Sequence, residues 1–247
     1  MLRSVNSIKG YALEAVDGEI GQCQDFLFDD EHWTIRYMVA DTGRWLRHRT
    51  VLISPISLGE AHWHGRAMTV NLTCKEIEES PPLDSDAPIC VQRKRRLVTH
   101  SDWPLYWIGD GIWGSAPAPA IFEAPELLTE VEEGDPHLRS TSEVSGYAIA
   151  ARDGDIGCVT DFIMNESTWV IRFAVVETGG WLSSRRVLIA PRYIESVRWE
   201  NRHVNLNITK EQIKASPPFN ASEPINRDYE ERLYDYYGRP KPRSWTP

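Results

Sequence analysis

The chain carries one sequence twice. With Leu2 placed over Leu138, the stretches Leu2 to Pro82 and Leu138 to Pro218 run side by side without a gap, at a constant offset of 136. LRSVNSIKGYALEAVDGEIGQCQDF faces LRSTSEVSGYAIAARDGDIGCVTDF, WTIRYMVADTGRWL faces WVIRFAVVETGGWL, and RTVLISP faces RRVLIAP. About 34 of the 81 paired positions hold the same residue, which marks a tandem duplication of one domain. Two long copies are not a solenoid. Between them, Gly114 to His137 is rich in Ala, Pro and Glu, lacks sustained periodicity and reads as a semi-stiff acidic linker. The expected organisation is a first repeat with a helical tail over 1–107, a linker over 108–137, and a second repeat with its tail over 138–247.

Each copy reads as short strands. Asp17-Gly18 and Asp153-Gly154 are two-residue hairpin signals. The stretch after the first of them points Ile20, Cys23, Phe26 and Phe28 inward with imperfect alternation, which predicts a bulge. WTIRYMVAD alternates Trp33, Ile35, Tyr37 and Val39 on one face, a strand pattern. TVLISP stops at Pro55, which cannot donate to a ladder. ISLGEAHW and RAMTVNL form a further hairpin pattern. About six short strands in so small a unit suit a closed or nearly closed barrel, because closure removes exposed edges. A short helix follows in each copy, opened by Thr73 with Glu76 or by Thr209 with Gln212 and ended before Pro-Pro. A second helix in the second copy begins near Pro224 and carries Ile225, Tyr229, Leu233 and Tyr236 at helical spacing.

Composition narrows the function classes. The formal net charge is -9, which argues against a nucleic-acid binder needing a basic face, and against unaided binding to anionic lipid. The run Arg93-Lys94-Arg95-Arg96 reads as a solvated helix face. No apolar run reaches the length of a membrane span and the first residues lack a signal-peptide core, so the expected location is cytoplasmic, without direct membrane insertion. Cys23, Cys74, Cys90 and Cys158 show no CxxC spacing and none recurs in the other copy, so free thiols are expected. His62 and His64 could share a strand face, but Arg198 and Glu200 stand opposite them; no metal and no cofactor is expected.

The combined pattern, GY, DGEIG, DF, W, IRY, DTG.WL and VLISP, resembles the PRC-barrel domain, and SPPLDSDAPI and YEERLYDYYG resemble a subgroup of its bacterial members. The resemblance spans nearly all of both copies. It implies a mainly β fold of two small six-stranded PRC-type barrels in tandem, each followed by short helices. Members of that family include the cytoplasmic domain of the photosynthetic reaction-centre H subunit and the C-terminal domain of the ribosome-maturation factor RimM. The family serves as an interaction platform and shares no catalytic residue set. The membrane helix of the H subunit has no counterpart here, so the resemblance implies a fold and not that photosynthetic role.

Three functions fit parts of this pattern. Asp41-Thr42-Gly43 matches the triplet of an aspartic protease, and Glu177-Thr178-Gly179 stands opposite it. Two carboxylates sharing a proton need matched placement, and the extra methylene of Glu177 spoils the match. The triplet therefore reads as a strand-end turn. A peripheral place in a membrane or photosynthetic electron-transfer complex rests on analogy alone. The favoured reading is a non-catalytic protein-interaction module whose partner is unknown. It has no catalytic residue, and its candidate interaction surface holds Trp45, Trp181, Tyr229 and Tyr236. Self-association, or pairing of the two barrels within one chain in imitation of a homodimer, is the accompanying expectation.

Overall fold

The computed structural model describes residues 1–47, 49–80, 113, 119, 137–179, 185–221, 223, 225 and 227–236. The linker interior, Cys90, the Arg93–Arg96 run, the tail of the first repeat and Trp181 lie outside the described residues.

The first repeat contributes β1 (Leu2–Ser4), β2 (Ala12–Ala15), β3 (Gly18–Asp29), β4 (Thr34–Asp41), β5 (Thr50–Ile53), β6 (Leu58–His62), β7 (Ala67–Val70) and helix α1 (Cys74–Glu79). The second contributes β8 (Leu138–Ser140), α2 (Thr141–Val144), β9 (Ala148–Ala151), β10 (Gly154–Asn165), β11 (Ile171–Thr178), β12 (Arg185–Ile189), β13 (Ile194–Arg198), β14 (His203–Leu206), α3 (Lys210–Ala215) and α4 (Arg227–Tyr236). One sheet runs β5-β4-β3-β2-β7-β6 and the other β12-β11-β10-β9-β14-β13. β2 pairs β7 in parallel, as β9 pairs β14, whereas β3 pairs β2, β4 and β8, and β10 pairs β9 and β11, in antiparallel fashion, as do β4 with β5, β6 with β7, β11 with β12 and β13 with β14.

Two features differ from the six-stranded closed barrel. Each sheet has seven strands, because β8 joins β3 in the first sheet and β1 joins β10 in the second. The repeats have exchanged their Leu-Arg-Ser strands. Nor does a ladder join β5 to β6 or β12 to β13, so neither sheet closes. The reason is local: β5 runs into a 3-10 turn at Pro55–Ser57 and β12 into one at Pro191–Tyr193. Proline there has no N–H to offer a closing ladder. The chain accordingly divides into compact units that do not follow the repeat boundaries. One holds Val5–Glu143 with Asn165–Val170; the other holds Met1–Ser4, Val144–Met164 and Ile171–Pro247.

In the unit built on the first repeat, Ile20, Cys23, Phe26 and Phe28 are all buried, and β3 shifts register between Cys23 and Asp25, as the broken alternation predicts. β4 departs from its pattern. Thr34, Arg36, Met38 and Ala40 are buried along with Ile35, Tyr37 and Val39. The cover over Arg36 comes from Trp113, which is fully buried: the Arg36 guanidinium lies 5.2 Å from the indole centre and donates to Asp29 at 2.8 Å. The indole N–H of Trp113 donates to the Thr168 carbonyl at 2.7 Å. Residue Thr168 belongs to the tip 165–170, which bridges Thr34 through Val170 and sets Trp169 against Phe26 with the rings tilted and their centres 6.1 Å apart.

The hairpin signals fall one residue later than the turns. Ala15 pairs Gly18 and Ala151 pairs Gly154, so the turn residues are Val16-Asp17 and Arg152-Asp153. The two aspartates instead cap helices: Asp17 accepts the Cys74 N–H at 2.6 Å and Asp153 the Lys210 N–H at 2.7 Å. Both predicted capping boxes form, on Thr73 with Glu76 and on Thr209 with Gln212.

Candidate functional site

The triplet that suggested a protease builds a turn. The Asp41 carboxylate accepts the Gly43 N–H at 2.8 Å, and the Thr42 hydroxyl donates across the loop to the Arg49 carbonyl at 2.7 Å. In the second repeat the Thr178 hydroxyl reaches the Arg185 carbonyl at 3.1 Å, and Glu177 pairs with Arg186 at 3.2 Å. Each carboxylate is engaged at its own strand end. The turn also presents Trp45, which stays 39% exposed. Large side chains of this kind, half in water, are common anchors at protein interfaces. Trp181, its counterpart, falls among the residues not described.

Below the turn, each repeat needs a bare backbone. Gly21 has φ +116°, and a Cβ there would lie 2.0 Å from the Asp41 carbonyl oxygen; at Gly157, φ +91°, the corresponding distance to Glu177 is 1.9 Å. Arg49 and Arg185 close the next step, donating to the Glu78 and Lys214 carbonyls at 2.8 and 2.9 Å near the ends of α1 and α3.

The most polar site receives the exchanged strand. In the unit built on the first repeat, β8 lies along β3 in the register Leu27 to Ser140, Phe28 to Arg139 and Asp29 to Leu138. Leu138 enters an apolar cluster with Leu27, Tyr37, Val39 and Leu52. Arg139 donates to Asp30 at 2.8 Å, and His137 meets the same carboxylate at 2.9 Å. Asp25 is buried and accepts the Ser140 hydroxyl, the Thr141 hydroxyl at 2.6 Å and the Ser142 N–H at 3.1 Å, with the Lys9 ammonium at 2.9 Å. Burial pushes the Asp25 carboxyl up, but the Lys9 charge and the two hydroxyls outweigh it and hold it below the usual carboxylate range. At Asp30 burial wins over Arg139 and His137, and the carboxyl is raised. In the other unit Asp161 accepts the Ser4 hydroxyl at 2.5 Å, so the Asp of each Asp-Phe pair latches a serine of the exchanged strand. The duplication exposes Ser4 with Ser140 and Asp25 with Asp161 in the sequence, since both pairs recur at the same offset. Their partnership is invisible there because it crosses from one repeat to the other.

Tyr229 and Tyr236 both stand on α4. Tyr229 is half-buried: its hydroxyl donates to the Pro217 carbonyl at 3.2 Å, its ring meets Phe219 edge-on at 6.3 Å, and Arg232 covers it at 5.5 Å. Burial pushes its phenol up to about 12. A cavity of about 280 Å³ opens beside it, lined by Pro218, Phe219, Ile225 and Arg232 together with Asn220 and Glu223. The segment holding Phe219 is itself tied to the edge strand β12, through Pro218 opposite Val187 and the Phe219 N–H on the Arg186 carbonyl. Tyr236 is 37% exposed and donates to the Gln212 carbonyl at 2.7 Å.

Metal-ligating groups gather at one place among the described residues. Ligand atoms of Asp29, Glu31 and His32 lie within 4.8 Å of one another. The Asp29 carboxylate already accepts the N–H groups of Glu31 and His32, Arg36 and the His32 ring, which is the bonding of a closed turn. His62 ends β6 and His64 falls in the turn beyond it. Cys23, Cys74 and Cys158 are free thiols, and burial pushes the Cys23 thiol up to about 12, where it holds its proton.

Residues 137–213 match the family model of the PRC-barrel domain, so the second repeat holds one such domain. The match takes in β8, the strand that is hydrogen-bonded to β3. No curated protein matches the chain. Among the described residues no helix is long and apolar enough to cross a membrane.

Proposed function

We propose that the chain is a non-catalytic protein-interaction module made of two PRC-barrel domains in tandem. The first repeat would be a second copy of the domain matched in the other, on the strength of the unbroken internal alignment and the shared strand order. One observation carries the functional reading. The repeated polar residues traced above serve the fold: Asp17 and Asp153 cap helices, Asp25 and Asp161 latch strands, Thr42 and Thr178 close turns, Arg49 and Arg185 hold helix ends. The large side chains left partly in water include Trp45, Trp199 and Tyr236. A protein partner is the class of ligand that amphipathic aromatics of this kind anchor. The proposed location is the cytoplasm.

The test is crosslinking and pull-down from native cells with the full chain, in parallel with Trp45→Ala and Tyr236→Ala. A partner held by the unaltered chain and lost from either variant, with circular dichroism unchanged, supports the reading. Equal capture by all three forms removes these residues from the interface.

A further inference from the structure

The site on β3 that receives β8 is built as a reader of sequence. It offers three unlike subsites in a row. The apolar cluster of Leu27, Tyr37, Val39 and Leu52 takes an aliphatic side chain, here Leu138. Asp30 takes the following cation, here Arg139, at 2.8 Å. Asp25 takes two hydroxyls in succession, Ser140 and Thr141, and the N–H of Ser142. Backbone pairing with β3 adds a sequence-independent term, as in strand addition to a sheet edge. The acceptor is also prepared for its ligand. Lys9 holds Asp25 at 2.9 Å from the receiving side, so that carboxylate keeps one charged partner before a strand arrives.

The ligand of this site is a segment of the same chain, and nothing in the contacts requires it to come from the same molecule. An exchange of β8 between two molecules would reproduce every contact named above. The free-energy difference between the two arrangements then lies in tethering alone, that is, in the effective concentration set by the long connection from α1 to β8. We propose that the β3 edge is a docking site for an extended Leu-Arg-Ser-Thr segment, and that its partner in trans is a second copy of this chain, which dimerises by exchanging β8. Each copy supplies both donor and acceptor, so the exchange closes on itself at two molecules. The inference concerns a different surface from the one proposed above and stands whether or not Trp45 or Tyr236 meets a partner.

The probe is a fluorescent peptide of residues 137–144, with a scrambled peptide as control, added to the full chain. The receiving molecule carries R139A, S140A and T141A, which weaken its own strand. Fluorescence polarisation should show binding to this variant at least about tenfold tighter than to the unaltered chain, whose own β8 competes. Adding Asp25→Asn should weaken peptide binding about tenfold or more. Should the triple variant not fold, Ser140→Ala alone, which keeps Leu138 and the ladder, receives the peptide instead. A folded variant that does not distinguish the peptide from its scrambled form overturns the docking site. The partner is tested by refolding the unaltered chain at high concentration and measuring its mass by light scattering. A doubled mass whose share rises with the concentration during refolding is expected; a single-chain mass at every concentration overturns the second copy as partner.

Discussion

Gly21 shows how much a single position can decide. A Cβ there would lie 2.0 Å from a backbone oxygen that cannot swing away, at φ +116°. Gly43, in the turn just above, has φ +54° and nothing within 4 Å of its would-be Cβ. Gly21→Ala combines a clash with an unfavourable backbone and should cost about 3–5 kcal/mol. Gly43→Ala meets only the backbone term, about 1 kcal/mol. Urea unfolding of the two variants checks the difference, and equal midpoints would show that β3 can draw away from Asp41. The sequence shows both glycines recurring, as Gly157 and Gly179. It could not rank them, because the difference lies in a carbonyl some twenty residues away. Asp41 reads there as a turn former and the contact with Gly43 agrees. For Asp17 the sequence suggested a hairpin, whereas the side chain spans a loop to reach α1, a contact with no local signature.

Among the elements, α4 was the most legible and carries a feature that its periodicity hid. The spacing of Tyr229, Leu233 and Tyr236 marks one face, and Leu233 is buried as that spacing predicts. Glu230 lies off that face and is only 3% exposed. Burial raises its carboxyl above the usual range, and the charge of Arg172 offsets this only in part. The folded chain therefore binds a proton that the unfolded chain has already released. The stability this group leaves intact is full below the unfolded value, about 4.3, and falls as pH rises through the higher folded value. Glu230→Gln should raise the unfolding midpoint at pH 7, and the gain should shrink as the pH is lowered toward 4. A gain that persists unchanged at pH 4 would assign the effect to packing rather than to charge. The strands β1 and β8 have no signature in the sequence, nor has the short helix α2 beside β8. Three residues give no alternation to read, and their neighbours in the sheet stand in the other repeat.

At the scale of the whole molecule, the duplication invites a cut between repeats, yet the exchanged strands put the physical boundary elsewhere. Residues Met1–Ser4 open the first repeat in the chain yet belong to the compact unit of the second. Their strand pairs β10, and Ser4 donates to Asp161 at 2.5 Å. Deleting them removes a hydrogen bond to a carboxylate as well as a short ladder, a loss of about 2 kcal/mol. That loss should fall on one unit only. Hydrogen exchange on the full chain and on the chain lacking residues 1–4 separates the possibilities, since local opening reports each sheet independently. Amides of β10 and β11 should lose protection, while those of β3 and β4, which keep β8, should not change. Had each repeat folded on its own first strand, the deletion would open β3 instead and leave β10 protected. Cooperative loss in both sheets would mean that the two units unfold as one, and a single unfolding free energy would then describe the chain.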